Sequence, residues 1–108
     1  MPRGEEDRGR AFYAGLLGLT EIPKPASLAE SGGLWFRIGA LEIHLGVEDD
    51  FRPAKKAHPG LLVDDLPTLV AILEAAGYAT KPDDRLAAYT RAFVHDPFGN
   101  RIELLQPR

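Results

Sequence analysis

A carboxylate set between apolar neighbours on a short strand is where chemistry is first to be sought in this chain, and Glu103 is such a group. In Asp96-Pro97-Phe98-Gly99-Asn100-Arg101-Ile102-Glu103-Leu104, Pro97 and Gly99 make a tight turn. The residues after it read as a strand whose side chains alternate between faces. Ile102 and Leu104 then pack on helices, and Glu103 projects from the opposite face. A carboxylate placed there is costly unless water or a partner receives it. Two readings follow: an acid open to solvent, or a ligand for a metal ion.

An earlier segment repeats this one. Gly39-Ala40-Leu41-Glu42-Ile43-His44-Leu45 aligns without gaps on Phe98-Gly99-Asn100-Arg101-Ile102-Glu103-Leu104, setting His44 opposite Glu103 at an offset of 59 (103 − 44). Tyr13-Ala14-Gly15-Leu16-Leu17-Gly18-Leu19 matches Ile72-Leu73-Glu74-Ala75-Ala76-Gly77-Tyr78 at the same offset (77 − 18). Two matches at one spacing indicate two copies of a helix-then-strands unit.

The elements that must position these groups follow from periodicity. Phe12, Leu16 and Leu19 fall at helical spacing over 5–17, with Gly18 as the cap. Residues 20–25 form a short edge piece limited by Pro23 and Pro25. After a turn at 31–33, Leu34, Phe36 and Ile38 alternate with Trp35 and Arg37 in one strand. Leu41, Ile43, Leu45 and Val47 alternate with Glu42 and His44 in the next. Residues 48–56 carry no period and link the copies. The second copy reads as a strand over 58–63, a helix over 66–76 capped by Asp64 or Asp65, a strand over 78–81, and a hairpin of 91–95 and 101–106. Leu66, Leu69, Val70 and Leu73 form the buried helix face. Subtracting the offset from His58 gives a position before Met1, so the first copy lacks its opening strand.

With 108 residues and 44% hydrophobic content, the chain is long enough for one compact domain. A net charge of −3 makes nucleic acid an unsuitable partner, and Arg52, Lys55 and Lys56 read as a solvated loop. The absence of cysteine excludes disulfides, thiolate metal sites and a cysteine nucleophile. No apolar run approaches the roughly 20 residues that span a bilayer, and the N-terminus is unlike a signal peptide. A cytoplasmic protein with no membrane partner is expected.

Taken in order, Arg10-Ala11-Phe12-Tyr13-x-x-Leu16-Leu17-Gly18-Leu19, His58-Pro59-Gly60-Leu61-Leu62-Val63-Asp64-Asp65, Leu73-Glu74-Ala75-Ala76-Gly77 and the segment 96–104 resemble the vicinal-oxygen-chelate superfamily. That group includes glyoxalase I, bleomycin-resistance proteins, fosfomycin-resistance enzymes and extradiol dioxygenases. The resemblance implies an α+β fold in one domain over 1–108, built of two tandem βαβββ modules (1–47 and 57–108, with linker 48–56). Their mixed sheet is expected to form a cup with helices on its convex side. It further implies a divalent metal (Zn, Ni, Mn or Fe) at the base of the cup, held by His44, His58 and Glu103, with open positions for two vicinal oxygens of a substrate.

Around that base, Trp35, Arg37, Arg91 and Phe93 would form substrate-binding walls, and Glu42 and His95 would supply the catalytic acid or base. An ungapped repeat puts Phe36 and His95 on opposite faces; a first hairpin one residue shorter than the second restores the parity. Two functions remain open: a metal-dependent lyase or isomerase, dioxygenase or thiol transferase, or a metal-free protein that sequesters a small molecule, as in the bleomycin-resistance branch. A homodimer is expected, since the missing strand leaves the edge of 41–47 unpaired. An open reading frame that starts upstream and encodes a His-bearing strand is a further expectation.

Overall fold

The computed structural model describes residues 1–108, which divide into two compact units, Met1–Arg52 and Pro53–Arg108. In the first, α1 (Glu6–Arg10) carries Glu6 and Asp7 in its first turn and Arg8 and Arg10 in its last, complementing the helix dipole. The pairs Glu5–Arg8 (2.6 Å) and Asp7–Arg10 (2.7 Å) brace it. The helix then widens into a π-helical stretch, Ala11–Leu16, where the expected pattern was purely α-helical. The extra residue per turn rotates Tyr13 into the core beside Phe12 and leaves Leu16 half-buried. Tyr13 stacks on Phe36 at 5.4 Å, and Phe12 meets Tyr13 edge-on at 5.2 Å.

Three antiparallel strands complete this unit: β1 (Thr20–Ile22), β2 (Leu34–Ile38) and β3 (Leu41–Leu45), in the order β1-β2-β3. A short 3₁₀ helix, Ala26–Ser31, joins β1 to β2 and was not foreseen. Leu34 and Phe36 are buried while Trp35 and Arg37 face the other way. Beyond β3, Met1 N donates to the Gly46 carbonyl (2.6 Å) and Glu48 N to the Met1 carbonyl (3.0 Å).

The second unit runs β4 (Gly60–Leu62), α2 (Leu66–Ala75), β5 (Thr80–Asp83), β6 (Tyr89–His95) and β7 (Arg101–Pro107). Its sheet order is β4-β7-β6-β5, with β4 parallel to β7 and the other pairs antiparallel. Asp65 caps α2, its carboxylate accepting from the Thr68 backbone N–H (3.2 Å), with proline in the first turn. The Gln106 side chain accepts from Leu66 N (2.7 Å) and ties the start of α2 to β7. Leu66 and Leu73 are buried together with Ala92, Val94, Ile102 and Leu104, whereas Leu69 and Val70 are half-buried. At the end of α2, Gly77 adopts a positive φ and Tyr78 N bonds back to the Leu73 carbonyl (2.9 Å). This C-terminal cap consumes Tyr78, so β5 begins at Thr80 rather than at 78.

The first hairpin is one residue shorter than the second. Trp35 pairs with His44, nine positions on, and Phe93 pairs with Glu103, ten positions on. The α+β fold is thus as the resemblance implied, and its repeat as the spacing implied.

Candidate functional site

Alternation along β5, β6 and β7 places Asp83, Arg91, Phe93 and Glu103 on the face opposite the apolar core. Arg91 and Glu103 are diagonal neighbours, since Phe93 is opposite Glu103 and Arg91 is opposite Leu105. His58 precedes β4, in the stretch where Glu103 N donates to the Pro59 carbonyl (3.0 Å). These positions assemble a linked chain of charge. His58 Nε2 lies 2.8 Å from Glu103 Oε1, and Arg91 Nη1 donates to Glu103 Oε2 at 3.0 Å. Arg91 also donates through Nη2 to Asp83 Oδ1 (2.9 Å), and Arg85 closes on the other oxygen of Asp83. The side chains of Asp83, Arg91 and Glu103 are only 9%, 11% and 12% exposed.

Burial alone would raise the Glu103 pKa, but hydrogen bonds from His58 and Arg91 outweigh it and hold the carboxyl below its usual range. Asp83 is held far below its ordinary value, first by the hydrogen bond from the Arg85 side chain, then by that from the Arg85 backbone, with Arg91 adding to them. Both acids are carboxylates at neutral pH, each matched to a guanidinium.

Within the second unit, His58 and Glu103 are engaged with each other and with Arg91 rather than left open as metal ligands. His58 has one feature of a metal-bound imidazole: its Nδ1 donates to the Lys56 carbonyl at 2.7 Å, fixing the ring. Yet the second unit brings only two of the expected ligands together, and both oxygens of Glu103 are already engaged. A metal ion there would have to break the His58–Glu103 bond and face the fixed positive charge of Arg91. No group of three or more His, Cys, Asp or Glu side chains is arranged to hold a metal.

The first unit uses the corresponding face differently. The His44 imidazole lies flat on the Trp35 indole, with centroids 3.7 Å apart and planes 1° from parallel. His44 Nε2 is 2.8 Å from Glu42 Oε1, and Arg37 approaches the other Glu42 oxygen at 4.0 Å. His44 and Glu42 remain a little over two-fifths exposed. Glu42 is therefore tied to His44 and Arg37. His95, the other expected acid or base, lies exposed at the end of β6.

His95 lines an open cleft of about 460 Å³ together with Lys55, Lys56, Ala79, Thr80, Lys81, Phe93 and Arg101. Three positions of this face were missed in the sequence. Asp83 was hidden by starting β5 two residues early; once Lys81 is paired with Phe93, alternation brings Asp83 to Arg91. Lys55 and Lys56, expected in a solvated loop, are exposed loop residues that line the cleft, and no local pattern marks them as cleft residues. The segment that first drew notice owes its turn to structure: buried Asp96 accepts from Phe98 N (2.8 Å), Asn100 N (2.8 Å) and Asn100 Nδ2 (2.8 Å).

The family model for the glyoxalase-like domain matches residues 4–105. Among solved structures, a glyoxalase family protein from Bacillus anthracis is 42% identical, with a TM-score of 0.95 over 100% of this chain and 88% of that one. TnmS3, an antibiotic binding protein from Streptomyces sp. CB03234, is 24% identical with a TM-score of 0.73, over 100% of this chain and 91% of that one. The fosfomycin resistance protein FosX from Listeria monocytogenes is 18% identical with a TM-score of 0.76, over 94% of this chain and 82% of that one. No curated protein sequence matches the chain. From the match over nearly its full length, the chain belongs to the glyoxalase-like family of the vicinal-oxygen-chelate superfamily.

Proposed function

We propose that this chain is a metal-independent small-molecule-binding protein rather than a metal-dependent enzyme. One observation carries the reading: Glu103, the carboxylate expected to ligate a metal, gives one oxygen to His58 and the other to Arg91. Arg91 supplies the positive charge that a divalent ion would otherwise bring, and Asp83 holds it in place. A guanidinium is always charged and binds carboxylates through a rigid fork, so the face is preorganised without a metal. Trp35, Arg37, Phe93 and the cleft residues beside Phe93 are the binding surfaces in this reading. TnmS3, a fold relative, binds an antibiotic, which lends the sequestering role a precedent.

Glu42 and His95 then serve as hydrogen-bonding groups toward ligand rather than as proton-transfer catalysts. The homodimer belongs to the same proposal: β3 has a strand partner on one side of its sheet, and Leu41 on it is 66% exposed. Sedimentation at micromolar concentration tests it, a species at the 11.8 kDa monomer mass speaking against it. No helix is long and apolar enough to cross a membrane, and a cytoplasmic location is proposed with the rest.

Metal analysis of protein purified without chelator tests the central reading. Content far below one equivalent of Zn, Ni, Mn or Fe is expected, with no change in Glu103→Ala. A full equivalent that is lost in Glu103→Ala and His58→Ala would restore the enzyme reading.

A further inference from the structure

The charges of the second unit are sorted unevenly. Asp83 and Glu103 neutralise Arg85 and Arg91 within hydrogen-bonding distance. Beside them, Lys55, Lys56, Lys81 and Arg101 line the cleft, and no carboxylate is among the residues that line it. Three of the chain's four lysines gather there, in a protein whose net charge is −3. Like charges placed together around a concavity repel one another, and the fold supplies no acid to relieve them. An anion from outside would do so.

The remaining lining narrows the kind of anion. Phe93 and Ala79 give the cleft an apolar patch, Thr80 offers a hydroxyl and His95 an imidazole. The guanidinium of Arg101 lies 4.1 Å from the Phe93 ring centroid, a stacking contact that holds the cation in place while leaving its N–H groups for hydrogen bonds. A cleft of about 460 Å³ falls within the roughly 300–1,000 Å³ of small-molecule sites. It is larger than a monatomic ion needs.

We propose that this cleft binds a small organic anion carrying at least two negative charges, carboxylate or phosphoryl, held by Lys55, Lys56, Lys81 and Arg101 with its carbon skeleton against Phe93. The proposal deepens the small-molecule reading above by naming the ligand class, and it rests on that reading for the ligand's being bound rather than transformed. Phe93 joins the two features: it meets His58 edge-on at 5.6 Å and Arg101 on its ring. Ligand seated on the cleft would thus be felt at the His58–Glu103 pair.

The test titrates citrate, phenyl phosphate and phthalate, with glycerol as the neutral control, into the full chain and follows the backbone amides by NMR. Saturable shifts at Lys81, Phe93, His95 and Arg101 are expected with at least one anion and not with glycerol. Replacing Lys55 and Lys56 together by Gln, both exposed loop residues, should weaken that binding about tenfold or more, and added salt should weaken it further. Lys81→Gln should do the same, and circular dichroism of each variant should match the parent. Absence of saturable shifts with all three anions overturns the proposal, as do shifts that survive both variants or a single-stranded DNA oligonucleotide that binds this face more tightly than any of them. A stoichiometric metal at His58 and Glu103 would overturn the metal-free reading while leaving these shifts in place, because lysine and arginine are not its ligands. Absent shifts in a metal-free protein would sink the anion site alone.

Discussion

The two hairpins share one frame and fill it with different chemistry. Trp35 opposite His44 occupies the place that Phe93 opposite Glu103 occupies in the other unit. Around Glu103 the neighbours are charged, mostly covered and linked in a chain through Arg91 to Asp83. Around His44 they are an indole face and a half-exposed Glu42. The difference originates two residues before the aromatic on each strand. Arg91 stands there in the second unit, and Gly33 in the first. Gly33 has φ +88, and a Cβ built on it would lie 2.2 Å from the Leu45 carbonyl oxygen. No side chain can stand there to reach the strand opposite. A repeated fold therefore fixes which residues face each other, while one backbone position decides whether a cation can stand diagonally from the residue opposite the aromatic.

The largest effects should come from breaking that backbone limit and from truncating the core behind the second unit's sheet. Gly33→Ala forces a positive φ on an L-residue and a clash with backbone, so a loss of at least about 2 kcal/mol is expected, read by denaturant unfolding. The matching change in the second unit's frame is in its core. Leu73 is fully buried, and Leu73→Ala should cost roughly 2–5 kcal/mol. Half-buried Leu69 should cost less when changed to Ala; an equal loss at the two would mean that the packed face of α2 is misplaced.

Arg91→Met probes the network itself. It leaves Glu103 and Asp83 without their shared cation in a mostly covered site, so the melting temperature should fall more than it does in Arg37→Met, whose Glu42 partner is 4.0 Å away. Equal changes would show that the two faces do not differ energetically.

Acid sharpens the same contrast. The Glu103 carboxyl is held below its usual value, so it contributes stability above its unfolded pKa of about 4.3. That contribution is lost as pH falls through the lower folded value. The melting temperature of the parent should therefore drop below about pH 4, and Glu103→Gln should show a shallower drop. An unchanged acid limb would remove Glu103 from the network. Asp83, held lower still, keeps its part of the slope in both proteins.

The smallest effect is expected at His44. Its stack on Trp35 is worth about 0.5–1.5 kcal/mol at most, and both residues are partly open to water. His44→Ala should barely alter stability yet change the emission of Trp35, the only tryptophan. Unchanged emission would mean that the two rings do not stack in solution.

Much of this frame was legible before any coordinates. Alternation assigned Trp35, Arg37, Arg91, Phe93 and Glu103 to the face away from the core, and the offset of 59 set His44 equivalent to Glu103 and called for a first hairpin one residue shorter, as found. Other features leave no local trace. The π turn at Ala11–Leu16 buries two adjacent aromatics, Phe12 and Tyr13, at once, which a 3.6-residue period does not encode. The bond from Arg91 to Glu103 joins residues twelve apart, and their diagonal meeting depends on strand register and on the length of the Asp96–Asn100 turn. Asp83 became a partner only because the cap after α2 moved β5 along the chain. Lys55 and Lys56 reach the cleft from a loop, where no period governs direction. The metal implied by the resemblance followed from residue types and the offset of 59; the proposal that none binds follows from the guanidinium of Arg91 beside Glu103, which no spacing announces.

The most direct test of this account is a thermal melt with and without metal. A ion that binds the native state raises its melting temperature by mass action. With Zn, Ni, Mn or Fe(II) added in excess to chelator-treated protein, the melting temperature should stay where chelator leaves it, because Arg91 and His58 hold both oxygens of Glu103. A rise that saturates near one equivalent, and that disappears in Glu103→Ala, would contradict the account.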